Sequence, residues 1–292
     1  MKDYIIATVS TADLREEWLK EHRIPFLPYN FILDGEGYQD DCREETKQMI
    51  FKAMRNGSMP STSQISEYAY EHFFTKVMEK GKDVIFLDMS RSISSSINNA
   101  KEAINRTATR YPGQRLTFID SYCISAGLGL LVMKMAEMKE NGSSYEEVIE
   151  FAENNKRKVI HRFLADDLQW LRKGGRLSNA SAIVGTLLSI KPLMYVRNDG
   201  SIYAYDKVRG RKKSIHTLVE SMKDDFDPAY SGDKILVYHA DAEEEAEDLA
   251  NLIRETYPAV KDIEISTEGP VIGSHVGPGF LAVVYFGTNR IL

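Results

Sequence analysis

The chain has 292 residues, of which 43% are hydrophobic and 27% charged, and a net charge of −6. This balance suits a soluble globular protein of one large or two medium domains and gives no general footing for a nucleic-acid partner. The two cysteines, Cys42 and Cys123, stand far apart with no Cys-x-x-Cys or Cys/His spacing, which argues against a disulfide framework or a structural zinc site and fits a reducing cytoplasm.

Residues 3–9 are apolar and largely β-branched, and they read as a first strand rather than a signal peptide because the run ends near Val9 without a cleavage site. Ser10-Thr-Ala-Asp13 supplies capping residues for a helix over Leu14 to His22. Ile24 to Leu33 reads as extended, closed by a hairpin turn at Asp34-Gly35. A helix from about Arg43 to Arg55 is broken by Gly57-Ser-Met-Pro60. The hydroxyl-rich loop Ser61-Thr-Ser-Gln-Ile-Ser66 then leads into a helix running to Lys80. No uninterrupted apolar segment reaches the length that spans a bilayer, so membrane contact is expected to be transient or absent.

Val84-Ile-Phe-Leu87 is a short continuous apolar run, as in a strand buried on both faces of a parallel sheet. Asp88-Met-Ser-Arg-Ser-Ile-Ser-Ser-Ser96 and a helix to about Tyr111 follow. The pattern repeats with Leu116-Thr-Phe-Ile119, the loop Asp120 to Gly127 and a helix to Glu140. This alternation predicts right-handed crossovers and a doubly wound sheet, with hydroxyl-rich loops at the strand ends where such sheets bind ligands. A long helix is expected from Tyr145 to about Phe163, capped by Ser143 or Ser144 with Glu146 or Glu147 behind.

A second domain is expected from there. Leu168 to Gly175 reads as a helix ending on basic residues and glycine, and Ser178 to Ile190 as another helix. Pro192 to Val196 and Ser201 to Val208 read as a hairpin around Asn198-Asp-Gly200. A helix over Lys212 to Asp225, a strand over Ile235 to His239, an acidic helix over Ala242 to Tyr257 and final strands complete an α+β unit. The expected architecture is therefore α/β with two domains. Residues 1–160 hold a doubly wound, mostly parallel sheet, and residues 161–292 hold a mixed or antiparallel one.

Near the C-terminus, Gly269-Pro-Val-Ile-Gly-Ser-His-Val-Gly-Pro-Gly279 brackets His275 with glycines and stiff prolines, a loop suited to bringing bare backbone close to a ligand while holding one imidazole still. It lacks the Gly-Lys-Ser/Thr ending of a phosphate-cradling loop. An ordinary tight connection between a strand over Val260 to Ser266 and the run Phe280 to Phe286 is the plainer alternative.

Singly, the hydroxyl loops are explained by capping. Their joint order is more specific: Thr62-Ser-Gln64; Ser90-x-x-x-Ser94-x-Ser96; Asp120-Ser121 through Gly127-Leu-Gly-Leu-Leu131; Leu171-x-Lys-Gly-Gly-Arg176; Lys191-Pro192; Lys207-x-Arg209; and Gly269 to Gly279. From end to end this resembles the DegV family, which includes the acyl-binding subunit of bacterial fatty acid kinase. The resemblance implies a cytoplasmic protein that buries one long-chain fatty acid. It also implies a separate ATP-dependent kinase subunit as partner, which phosphorylates the carboxylate to an acyl phosphate for phospholipid synthesis.

It further implies a ligand site made by Thr62, Ser63, Ser94, Ser96, Gly273 and His275, with Arg176 and Arg209 serving the head-group region and kinase docking. No cofactor, metal or catalytic residue is implied. The sequence departs from the family pattern at Val9-Ser10, where an Asp-Ser pair is usual, at Ile65 and Arg91, and at Ser95. There a side chain replaces glycine and restricts the backbone beside Ser94. Two rival functions are a hydrolase using Ser94 or Ser274 with His275, and a sensor or adaptor plugged by lipid. The hydrolase lacks a Gly-x-Ser-x-Gly elbow, and neighbouring Ser274 and His275 would point apart in an extended segment.

Overall fold

A computed structural model describes residues 3–177, 190–230 and 233–290. Strands β1 (Tyr4–Val9), β2 (Phe26–Leu27), β6 (Asp83–Asp88) and β7 (Leu116–Asp120) form a parallel sheet in the order β2-β1-β6-β7. Every residue of β1 and β6 is buried, as expected of strands covered on both faces by crossover helices. The helices of this unit are α1 (Glu16–Glu21), α2 (Glu44–Arg55), α3 (Glu67–Met78), α4 (Ser96–Arg110), α5 (Ala126–Glu140) and α6 (Tyr145–Asn155). On α4 the buried residues Ile97, Ala100, Ala103 and Thr107 recur at helical spacing, and Phe74 of α3 meets Phe86 of β6 edge-on at 4.9 Å.

A small antiparallel sheet, β4 (Glu36–Gln39), β3 (Asn30–Leu33) and β5 (Ser61–Ser63), sits beside it. The β3–β4 hairpin turns on Asp34 and Gly35, whose φ of 52° and 88° give the strands their matching twist. The hydroxyl-rich segment expected to be loop thus contributes a strand.

The largest departure from expectation lies after Tyr145. The helix ends at Asn155, after a capping box between Ser144 and Glu147, and Val159–Leu164 is strand β8. Val159, Ile160, Phe163 and Leu164 repeat at a spacing that also fits a helical face, which is why the sequence misleads. The strand pairs with β9 (Ile190–Val196) and β13 (Leu281–Phe286) inside a six-stranded sheet of order β10-β9-β8-β13-β11-β12. Here β10 is Ile202–Arg209, β11 is Ile235–His239 and β12 is Ile263–Thr267. Only β11 and β12 pair in parallel.

Short helix α7 (Gln169–Gly174) follows β8, while α8 (Arg211–Ser221) and α9 (Glu243–Thr256) pack on one face of the mixed sheet. The helix expected over Ser178 to Ile190 falls, up to residue 189, outside the described residues. Period-two alternation assigns the faces: Leu281, Val283 and Tyr285 join α8 and α9, whereas Ala282, Val284 and Phe286 join the core of the parallel sheet. The second sheet therefore shares its inner face with the first layer, and the site lies along that face. No helix among the described residues is long and apolar enough to cross a membrane.

Candidate functional site

The stretch expected to be a loop around His275 contains a helix, α10 (Pro270–Val276). Pro270 occupies its first turn, where a missing N–H costs nothing, and Gly277 ends it at φ 76°. Ser274 and His275 therefore diverge as neighbours on a helix rather than on an extended segment. Ser274 is buried and donates its hydroxyl proton to the Pro270 carbonyl at 2.7 Å. Gly273 is a packing position: a Cβ there would stand 2.7 Å from Cζ of Phe51.

His275 Nε2 lies 2.8 Å from Thr62 Oγ1. Strand alternation explains the choice of residue, because Thr62 of β5 turns inward while Ser61 and Ser63 are exposed. Ser63 thus stands on the opposite face of β5 from the Thr62–His275 pair. Nδ1 of His275 has no hydrogen-bond partner among the described residues, and it faces Gly174 at the end of α7. Arg176 follows, donating from Nε to the Ile93 carbonyl at 3.2 Å and from Nη1 to the Gly174 carbonyl. Burial, helped by the nearby Arg176 charge, lowers the His275 pKa to about 4, so the imidazole is neutral near pH 7.

Ser94 and Ser96 lie between β6 and the first turn of α4. Ser94 Oγ donates to Ser96 Oγ at 3.0 Å, and Ser96 Oγ accepts the Ile65 N–H at 3.1 Å. Behind them Tyr29 Oη is 3.3 Å from Ser94 Oγ and 3.4 Å from Asp88 Oδ1. Ser95 has an ordinary φ of −78°, so its side chain costs no backbone strain, and its hydroxyl accepts from Gln64 at 2.6 Å. Arg209 is exposed at the end of β10 and is not among the residues that line the cavity next to His275.

That cavity is apolar. Ile93, Ile124, Phe163, Leu171, Phe280 and Val284 line it, and Arg176 and His275 stand in its wall. Its space amounts to about 540 Å³ with open solvent included, but only about 40 Å³ admits water, so a chain-like occupant must part the side chains. Three further polar wall residues, Ser125, Glu268 and His161, went unseen in the sequence. Ser125 donates to Glu268 Oε2 at 2.6 Å, and His161 is buried, its imidazole held neutral chiefly by burial. Asp88 and Tyr29 were also missed, because an acid closing an apolar strand and a tyrosine between Pro28 and Asn30 carry no local sign of a shared network.

Comparison with known proteins bears on the whole chain. A family model described as "Uncharacterised protein, DegV family" matches residues 4–288. The chain belongs to the DegV family. A DegV domain-containing protein of Clostridium perfringens is 37% identical over 292 residues, covering 99% of each chain. Among solved structures, a DegV lipid-binding protein of Thermotoga maritima is 30% identical with a TM-score of 0.85 over 100% of both chains. A DegV family protein of Thermus thermophilus, described by its fatty acid binding, is 28% identical with a TM-score of 0.84, covering 98% of this chain and 100% of that one.

Proposed function

We propose that this DegV protein binds one long-chain fatty acid, with its carboxylate at Thr62, His275 and Ser94 and its tail in the apolar cavity. The observation that carries this reading is that His275, neutral and paired with the Thr62 hydroxyl, and Arg176 stand in the wall of that apolar cavity. Fatty acid and lipid binding by the Thermus and Thermotoga relatives supports it. Each buried methylene contributes about 0.8 kcal/mol, so the tail supplies most of the affinity. Each charge-assisted donor returns roughly 1.5–3 kcal/mol against the lost hydration of the carboxylate.

In this reading the protein is a carrier with no catalytic constellation of its own. It presents the carboxylate to a separate ATP-dependent kinase subunit in the cytoplasm, with exposed Arg209 in the docking surface and Arg176 at the head group. Residues 1–160 supply the head-group hydroxyls, and residues 161–292 supply His275 and much of the cavity wall. The geometry offers a hydrolase little: Ser274 is committed to a backbone carbonyl, and Ser94 contacts Tyr29 and Ser96 rather than an imidazole.

The test is denaturing extraction of the purified protein followed by mass spectrometry. The expected result is a near-equimolar fatty acid. An empty extract together with failure to take up added oleate would overturn the reading.

A further inference from the structure

Asp88 is buried among hydroxyl groups, and among the described residues no cation is paired with it. It closes β6, accepts the Met89 N–H at 2.7 Å and the Tyr70 hydroxyl from α3, and meets Tyr29 Oη at 3.4 Å. The charged group that faces it is Asp120 of β7, which is itself paired with Arg91. Tyr29 is held in place by its own backbone, whose N–H donates to Ser10 Oγ at 3.0 Å. Its hydroxyl stands between Asp88 and Ser94, with Tyr70 and Ser96 also within reach, and has one proton to give. Ser94 in turn lies next to Ser96 at 3.0 Å.

The direction of this row depends on Asp88. With Asp88 ionised, Tyr29 donates to the carboxylate, and Ser94 meets a tyrosine oxygen that has no proton to give. With Asp88 protonated, its hydroxyl donates to Tyr29, Tyr29 donates to Ser94, and the Ser94 proton is free to turn outward. An anionic head group at Ser94 favours the second state twice over, because it repels the buried carboxylate and needs the donor.

Resting on the fatty-acid reading above, we infer that Asp88 is a positioning residue: docking of an anionic head group at Ser94 is accompanied by uptake of one solvent proton at Asp88, which turns Tyr29 and Ser94 into donors aimed at the head. Burial already pushes the Asp88 pKa up to about 6, so a nearby second negative charge moves its titration into the neutral range.

The experiment is calorimetric titration with oleate at neutral pH in buffers of different ionisation enthalpy, which reads proton uptake directly. At a pH between the Asp88 titrations of the free and the bound protein, the wild type is expected to take up a substantial part of one proton, and its oleate affinity to fall by up to about tenfold per pH unit across that interval. Asp88→Asn is expected to bind oleate with no uptake and a flat profile, whereas His275→Gln retains the uptake. Oleyl alcohol, with no negative charge, is expected to bind the unaltered protein without uptake, a comparison that needs no variant to fold. Uptake that persists in Asp88→Asn, disappears only in His275→Gln, or is equal for oleate and oleyl alcohol would overturn the inference. Oleate binding without any uptake would overturn it alone; no oleate binding would overturn the fatty-acid reading with it.

Discussion

Gly174 lies so close to the imidazole of His275 that a Cβ there would stand 2.2 Å from Nδ1. The ring cannot retreat freely, because Nε2 is tied to Thr62. Gly174→Ala must therefore rotate His275 and break that bond, at a cost of about 0.5–1.5 kcal/mol, or roughly 3- to 10-fold in oleate affinity. The next residue is the control. Gly175 has φ 69° and open space where its Cβ would go, so Gly175→Ala should lower stability by about 1 kcal/mol through backbone strain and leave oleate affinity unchanged. Paired oleate titrations and urea unfolding of the two variants check this, and equal affinity losses would refute the division of roles.

That contrast also marks what the sequence discloses. The Gly-Gly-Arg and Gly-x-His elements were legible as a pair of motifs, and the parallel sheet was legible because β1 and β6 are unbroken apolar runs. That Gly174 exists to admit His275 was not, since the two residues are 101 positions apart and meet only through packing. Strand β8 was hidden for a related reason. His161 and Arg162 interrupt its apolar run, and their partners come from elsewhere: the Ile124 N–H for His161, Asp225 and Tyr285 for Arg162. The short helix α10 was masked by its own glycines, which read as loop although Gly273 is there to pack on Phe51.

His275 sets a pH limit on the acid side. Its folded pKa is lowered to about 4 from 6.5, so the unfolded chain binds the proton more readily. Stability contributed by the neutral ring is present above pH 6.5 and is lost as the pH falls towards 4. The effect is on the order of 1–3 kcal/mol. In His275→Gln, urea midpoints should fall less between these pH values than in the wild type. Parallel curves for the two proteins would mean that Thr62 and the cavity wall do not disfavour the charged ring.

The opposite limit comes from Asp13 and Glu268. Both are buried and lie within hydrogen-bonding reach of each other, yet among the described residues no well-formed donor bond reaches either Asp13 oxygen or Glu268 Oε1, with the Gly269 N–H and the Ser125 hydroxyl standing near Asp13. One proton shared between the carboxyl groups satisfies this arrangement, with Ser125 donating to the remaining Glu268 oxygen. Buried Lys47 contributes its charge from α2 but donates to the Thr267 carbonyl at 2.8 Å. Neighbouring Asp40 is itself pushed up to about 7, and Tyr238 spends its hydroxyl proton on the Asp13 carbonyl at 3.0 Å.

Burial raises both members of the pair above their ordinary values of 3.8 and 4.5, so the folded state binds the proton more tightly than the unfolded chain. Stability from the shared proton is therefore complete below those ordinary values and is lost as the pH rises through the folded ones. Glu268→Gln replaces the shared proton with an amide hydrogen that does not titrate. Its urea midpoint should decline less than that of the wild type as the pH rises above the ordinary carboxylate range. Asp88 titrates in both proteins and cancels in the difference. A decline equal to that of the wild type would show that the proton resides elsewhere.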